Sequence, residues 1–114
     1  MNIPDDAEFI EILGSAPAPM EHDPDIWRVD TPIGDGQVVT LTFDIGAGSV
    51  RLVKGSEEKY EIEIYREEVD RIMLYTGNGE RGIIVESRVP GFRCELRAVV
   101  YPEFQLTDPM LYVG

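Results

Sequence analysis

The stretch Gln37-Val38-Val39-Thr40-Leu41-Thr42-Phe43-Asp44-Ile45 decides the fold class. In an extended chain Val39, Leu41, Phe43 and Ile45 share one side, and Thr40, Thr42 and Asp44 share the other. A period of two built from β-branched and aromatic residues is the mark of a half-buried strand. Gly46-Ala47-Gly48 then turns the chain, and Val50 and Leu52 continue the apolar face, so the segment reads as a hairpin.

The same period recurs downstream. Gly55-Ser56-Glu57-Glu58 is a second turn, after which Tyr60, Ile62 and Ile64 alternate with Glu61, Glu63 and Tyr65. Residues 66–75 suit either a short helix (Val69, Ile72, Met73) or a strand. The strand is favoured because Asn78-Gly79 follows, the strongest short hairpin signal. Gly82 to Val89 reads as the returning strand and Pro90-Gly91 as the next turn. In Phe92 to Tyr101, Phe92, Cys94, Leu96, Ala98 and Val100 point inward and Arg93, Glu95 and Arg97 outward, and Pro102 ends the run.

Before residue 37 the character differs. Asp5 or Asp6 caps a short helix with Phe9, Ile12 and Leu13 on one face, and Gly14 ends it. Residues 15–19 form a loop stiffened by Pro17 and Pro19, and Ile26-Trp27-Arg28-Val29 is a first short strand. The expected fold is therefore mainly β (α+β). It is a six- to seven-stranded antiparallel meandering sheet or partial barrel with a short N-terminal helix, a sandwich being the other way to close it. At 114 residues it is one domain, with an acidic helix and loop lead-in (1–36), the sheet (37–101) and a tail (102–114). Phe104, Leu106, Met110, Leu111 and Tyr112 dock that tail on the sheet.

The formal net charge is -12, with 22 acidic residues against ten basic ones. Such a surface repels nucleic acid and anionic membranes, which attract clustered Lys and Arg, and suits a basic protein partner. One histidine (His22) and one cysteine (Cys94) leave no recognisable catalytic set, so a binding protein is expected rather than an enzyme. No apolar run nears the ~20 residues of a membrane span. The start, Met1 to Asp6, lacks the features of a signal peptide, so a cytoplasmic location is expected.

Several motifs have plain structural readings. Gly77-Asn78-Gly79-Glu80-Arg81-Gly82 spells G-x-G-x-x-G, but no helix follows to receive a pyrophosphate, so it is a hairpin turn. Glu21-His22-Asp23-Pro24-Asp25 lacks the spacing of a calcium loop and reads as solvated acid. Cys94, among inward apolar residues, behaves as a small hydrophobe. No metal and no cofactor is expected. Outward Tyr65, Met73 and Tyr75, with Glu61, Glu63 and Asp70 near them, make the candidate protein-binding patch. Trp27 is either core or rim.

Three segments together, residues 38–45, Tyr60-Glu61-Ile62-Glu63-Ile64-Tyr65 and Gly91-Phe92-Arg93-Cys94-Glu95-Leu96, resemble small cytoplasmic immunity proteins of bacterial polymorphic toxin systems. The resemblance implies an acidic inhibitor that occludes the active site of a cognate toxin domain, often a basic nuclease. The rival readings are a β module for a small molecule or cation, and an adaptor subunit of a larger assembly.

Overall fold

The computed structural model describes residues 1–89 and 92–108, apart from the side chains of Val89 and Phe92. The one helix among the described residues, α1 (Asp6–Leu13), is set by its ends. The Asp5 side chain accepts from the Glu8 N–H at 2.8 Å, and Gly14 takes a left-handed φ of 89° that lets its N–H reach the Ile10 carbonyl. Two turns of helix do not hold alone in water, so packing must hold α1. Phe9, Ile12 and Leu13 face inward, and the Phe9 ring stacks on Phe43 with centroids 6.3 Å apart.

Nine strands follow among the described residues: β1 (Ala18–Met20), β2 (Asp23–Gly34), β3 (Gln37–Asp44), β4 (Ser49–Gly55), β5 (Tyr60–Arg66), β6 (Val69–Gly77), β7 (Glu80–Val89), β8 (Phe92–Tyr101) and β9 (Gln105–Thr107). All pair antiparallel with their sequence neighbours, except that β5 does not pair with β6. The meander is thus cut into a five-stranded sheet, β1 to β5, and a four-stranded sheet, β6 to β9, and the described strands form no closed barrel. The cut falls at Glu67-Glu68, where Glu68 has a left-handed φ of 54°. The crossing is tied down by Arg88 N–H to the Glu68 carbonyl and Val69 N–H to the Gly48 carbonyl, both 2.9 Å.

The two sheets bury facing sides. Val39, Leu41, Phe43, Val50, Leu52 and Ile64 from one meet Ile72, Ile83, Val85, Leu96, Ala98 and Val100 from the other in a single cluster, and α1 covers it beside β6 and β7. Both Asn-Gly and Asp-Gly turns have the geometry their sequences favour. Asn78 and Gly79 lie at φ 55° and 75°, and Asp35 and Gly36 at 55° and 73°, the left-handed pair that matches strand twist.

The mainly β antiparallel meander with a short N-terminal helix is as expected; it closes as two sheets, the sandwich alternative, with nine strands among the described residues. Three expectations need correction. The lead-in before residue 37 holds two strands, β1 and the twelve-residue β2, rather than a loop and a short strand. Ile45 lies in a turn and is exposed. Tyr60 points outward, because β4 and β5 slip register at Lys54/Gly55 and leave Glu61 as an extra residue between Ile62 and Tyr60. Gly55 permits the slip, since a Cβ there would sit 2.3 Å from the Lys59 carbonyl oxygen. Of residues 66–75, favoured as a strand over a helix, Val69 to Tyr75 lie in β6, whereas Arg66 ends β5 and Glu67-Glu68 make the crossing; Cys94 is buried. Phe104 and Leu106 are half-buried against the core. The Pro90-Gly91 turn, the Phe92 side chain and Met110, Leu111 and Tyr112 lie outside the described residues.

Candidate partner-binding surface

The outer face of the five-stranded sheet is built by register. Arg28, Thr42, Arg51 and Tyr65 lie across β2 to β5 in one row, and Asp30, Thr40, Val53 and Glu63 in the next. Val38, Gly55 and Tyr60 make a third. Charged side chains on this face hold one another: Arg28 Nε donates to Asp30 at 3.0 Å, Thr40 Oγ1 to Asp30 at 2.8 Å, and Arg51 Nε to Glu63 at 2.9 Å. The Arg51 guanidinium also lies 5.9 Å from the centre of the Tyr60 ring. Tyr60 and Tyr65 remain 60% and 53% exposed. Between β2 and β5 a shallow depression of about 410 Å³ has Arg28, Asp30, Val53, Glu57 and Tyr60 in its walls.

Glu61 sits at the border of this face. It accepts from Lys54 Nζ and from Gln37 Nε2, each at 2.7 Å, and the Lys54 bond first and the Gln37 bond second hold its carboxyl below the usual carboxylate range. Lys54 is itself kept in place over the Phe104 ring, 5.3 Å from its centre.

Of the six residues expected to share a patch, the structure brings Glu61, Glu63 and Tyr65 together on β5 and places Asp70, Met73 and Tyr75 on β6. The chain changes sheet between them, and the sheets bury their facing sides, so the outer faces look in opposite directions. Tyr75 lies flat over Gly82, where a Cβ would be 2.4 Å from its ring, and Arg97 stacks 5.1 Å from the ring centre. Its hydroxyl is buried with no hydrogen-bond partner among the described residues, and burial pushes the phenol pKa up. Tyr75 is therefore packed against its own sheet, whereas Tyr60, missed from the sequence because of the register slip, is presented to solvent. The slip did leave a trace in the sequence, in Gly55.

The outer face of the four-stranded sheet is held by ion pairs. Glu86, 8% exposed, accepts from Arg71 Nε at 2.7 Å and Nη2 at 3.0 Å, with Arg93 3.9 Å away, and Arg88 pairs with Asp70 at 2.9 Å. The Arg71 bonds hold the Glu86 carboxyl below the 4.5 of a free glutamate and raise the Arg71 pKa. A lowered folded-state pKa contributes stability that is present above the unfolded value and is lost as pH falls through the folded one. Glu86→Gln is accordingly expected to flatten the acid limb of the stability curve below about pH 4.5. Urea midpoints at stepped pH check this, and parallel curves for variant and parent would contradict it.

Charge divides with the sheets. Residues 1–68, which hold α1 and the five-stranded sheet, carry 16 acidic and five basic residues, whereas residues 69–114 carry six and five. Among the described residues no three His, Cys, Asp or Glu side chains are grouped to hold a metal ion.

These elements define an antiparallel two-sheet β protein sealed by one helix, with its acidic excess on the half that contains the larger sheet. No protein-family model and no curated protein sequence matches the chain. Among solved structures, a chain of a contact-dependent growth inhibition toxin–immunity protein complex from Klebsiella pneumoniae 342 is similar to it, with a TM-score of 0.78 at 14% identity over 93% of each chain. The likeness is one of fold, and it matches the resemblance drawn from the sequence.

Proposed function

We propose that this chain is an immunity protein that binds a basic toxin domain in the bacterial cytoplasm and covers its active site. The observation that carries this reading is the fold shared over 93% of each chain with a chain of a toxin–immunity complex. Such a complex has two kinds of chain, and the charge favours the inhibitor. A toxin that acts on nucleic acid must bring cations to phosphates, while its antagonist gains speed and selectivity from the opposite sign. A net charge of -12, concentrated in the half that exposes Tyr60 and Tyr65, suits the antagonist.

The test is capture from native lysate with the tagged chain, elution in rising salt, and assay of the purified partner. A basic protein whose activity falls to background at one equivalent supports the proposal. A partner that stays active at saturation, or no specific partner, overturns it. With the partner in hand, Tyr60→Ala and Tyr65→Ala are each expected to weaken binding by more than ~2 kcal/mol, roughly 30-fold. Both side chains are more than half exposed, so thermal midpoints should hardly move. Unchanged affinity in both variants would remove the interface from this face.

A further inference from the structure

Among the described residues four strand edges flank the two sheets, and three are short or bridged. β1 is three residues long, and its Pro19 has no N–H to offer. β9 is also three residues long. The free side of β6 is bridged near its start by Asn2, whose N–H donates to the Asp70 carbonyl and whose carbonyl accepts from the Ile72 N–H, both at 2.9 Å. β5 differs: its seven residues pair with β4 on one side, and no segment among the described residues pairs with the other. An edge of that length is a template for a further strand.

Charge selects which strand. Residues 57–68 hold six glutamates against Lys59 and Arg66, and Arg66 is turned to Asp108. In the antiparallel pairing of two copies centred on Ile62, Glu61 of one copy faces Glu63 of the other, and like charges across strands destabilise pairing. A strand with Lys or Arg at alternate positions meets the reverse situation, since ionised carboxylates accept several hydrogen bonds beyond those already made to Lys54, Gln37 and Arg51. We propose that β5 is a docking strand for a basic, extended segment of the partner protein, which adds a sixth strand to the five-stranded sheet. That the segment belongs to a toxin rests on the function proposed above; the receptiveness of the edge does not.

The experiment follows amide hydrogen exchange, residue by residue, in the isotope-labelled full chain at low ionic strength. The probe is a short synthetic peptide that alternates Lys and Val. Alternate amides of β5, those that do not donate to β4, should slow by about tenfold or more as the peptide saturates. The double variant Glu61→Lys/Glu63→Lys should lose the effect. Unchanged β5 exchange at millimolar peptide overturns the proposal, as does equal protection by a peptide that alternates Glu and Val. Protection that rises with protein concentration and needs no peptide overturns it too, because the occupant is then a second copy. Each of these failures leaves the capture experiment to decide the toxin-binding reading separately.

Discussion

Phe9→Ala is expected to lower the unfolding free energy by about 3–5 kcal/mol. Phe9 is fully buried and its ring stacks on Phe43, so truncation removes a ring from the junction of α1 with the sheets and leaves a void there. The backbone on either side is fixed by strand pairing and cannot collapse into the space. An eight-residue helix has little intrinsic stability, so the variant should also lose helical signal before the sheets unfold. Urea titration read by circular dichroism measures both effects. Ile10→Ala, on the same helix but 55% exposed, is the control and should stay within about 0.5 kcal/mol of the parent. A loss below about 1 kcal/mol for Phe9→Ala would mean that the helix is an ornament on the core. Since a domain of this kind has only about 5–15 kcal/mol in all, the expected loss is a large part of it.

Arg66→Met should destabilise by a similar amount, about 3–5 kcal/mol, for an electrostatic reason. Asp108 is 1% exposed and pairs with Arg66, whose side chain is 15% exposed. Arg66 also donates to the Tyr65 carbonyl at 2.9 Å, which fixes the guanidinium at the end of β5. Replacing it with an apolar side chain of similar length keeps the packing but removes a cationic partner of a buried carboxylate. The double variant Arg66→Met/Asp108→Leu should recover much of the loss, because removing both charges also removes the desolvation penalty. A double-mutant cycle by chemical denaturation decides. If the two single losses simply add, the pair is not coupled and the account is wrong.

The parts of the fold that were legible in the sequence are those fixed by local chemistry. Asp5 and Gly14 bracket a helix because one side chain caps donors and the other residue tolerates a left-handed φ. Val39, Leu41 and Phe43 are buried because a strand turns alternate side chains to one side. What stayed hidden was long-range. Periodicity tells which side of its own strand a residue occupies, not which sheet the strand joins, so Tyr65 and Tyr75 looked like neighbours. One extra residue inverts the parity of everything beyond it, and Glu61 did that to Tyr60. β2 was masked by Pro24 and Pro32, which weaken a strand signal. Pro32 is tolerated because β1 pairs β2 only as far as Arg28, leaving one side of that stretch open. Three residues of the candidate surface, Glu61, Glu63 and Tyr65, were therefore readable from their alternation, and the rest required the register.

The division of the meander at Glu67-Glu68 also bears on how the protein is made. Each sheet is one unbroken piece of chain, so the strands of the five-stranded sheet leave the ribosome before those of the other. At about 5–20 residues per second, the remainder takes some seconds to emerge. During that interval the side of the first sheet formed by Val39, Leu41, Phe43, Val50, Leu52 and Ile64 has nothing to cover it but the preceding helix. Nascent chains in that condition tend to clump. The segment already synthesised carries 16 of the 22 acidic residues, so neighbouring half-made copies repel one another while their greasy side is bare.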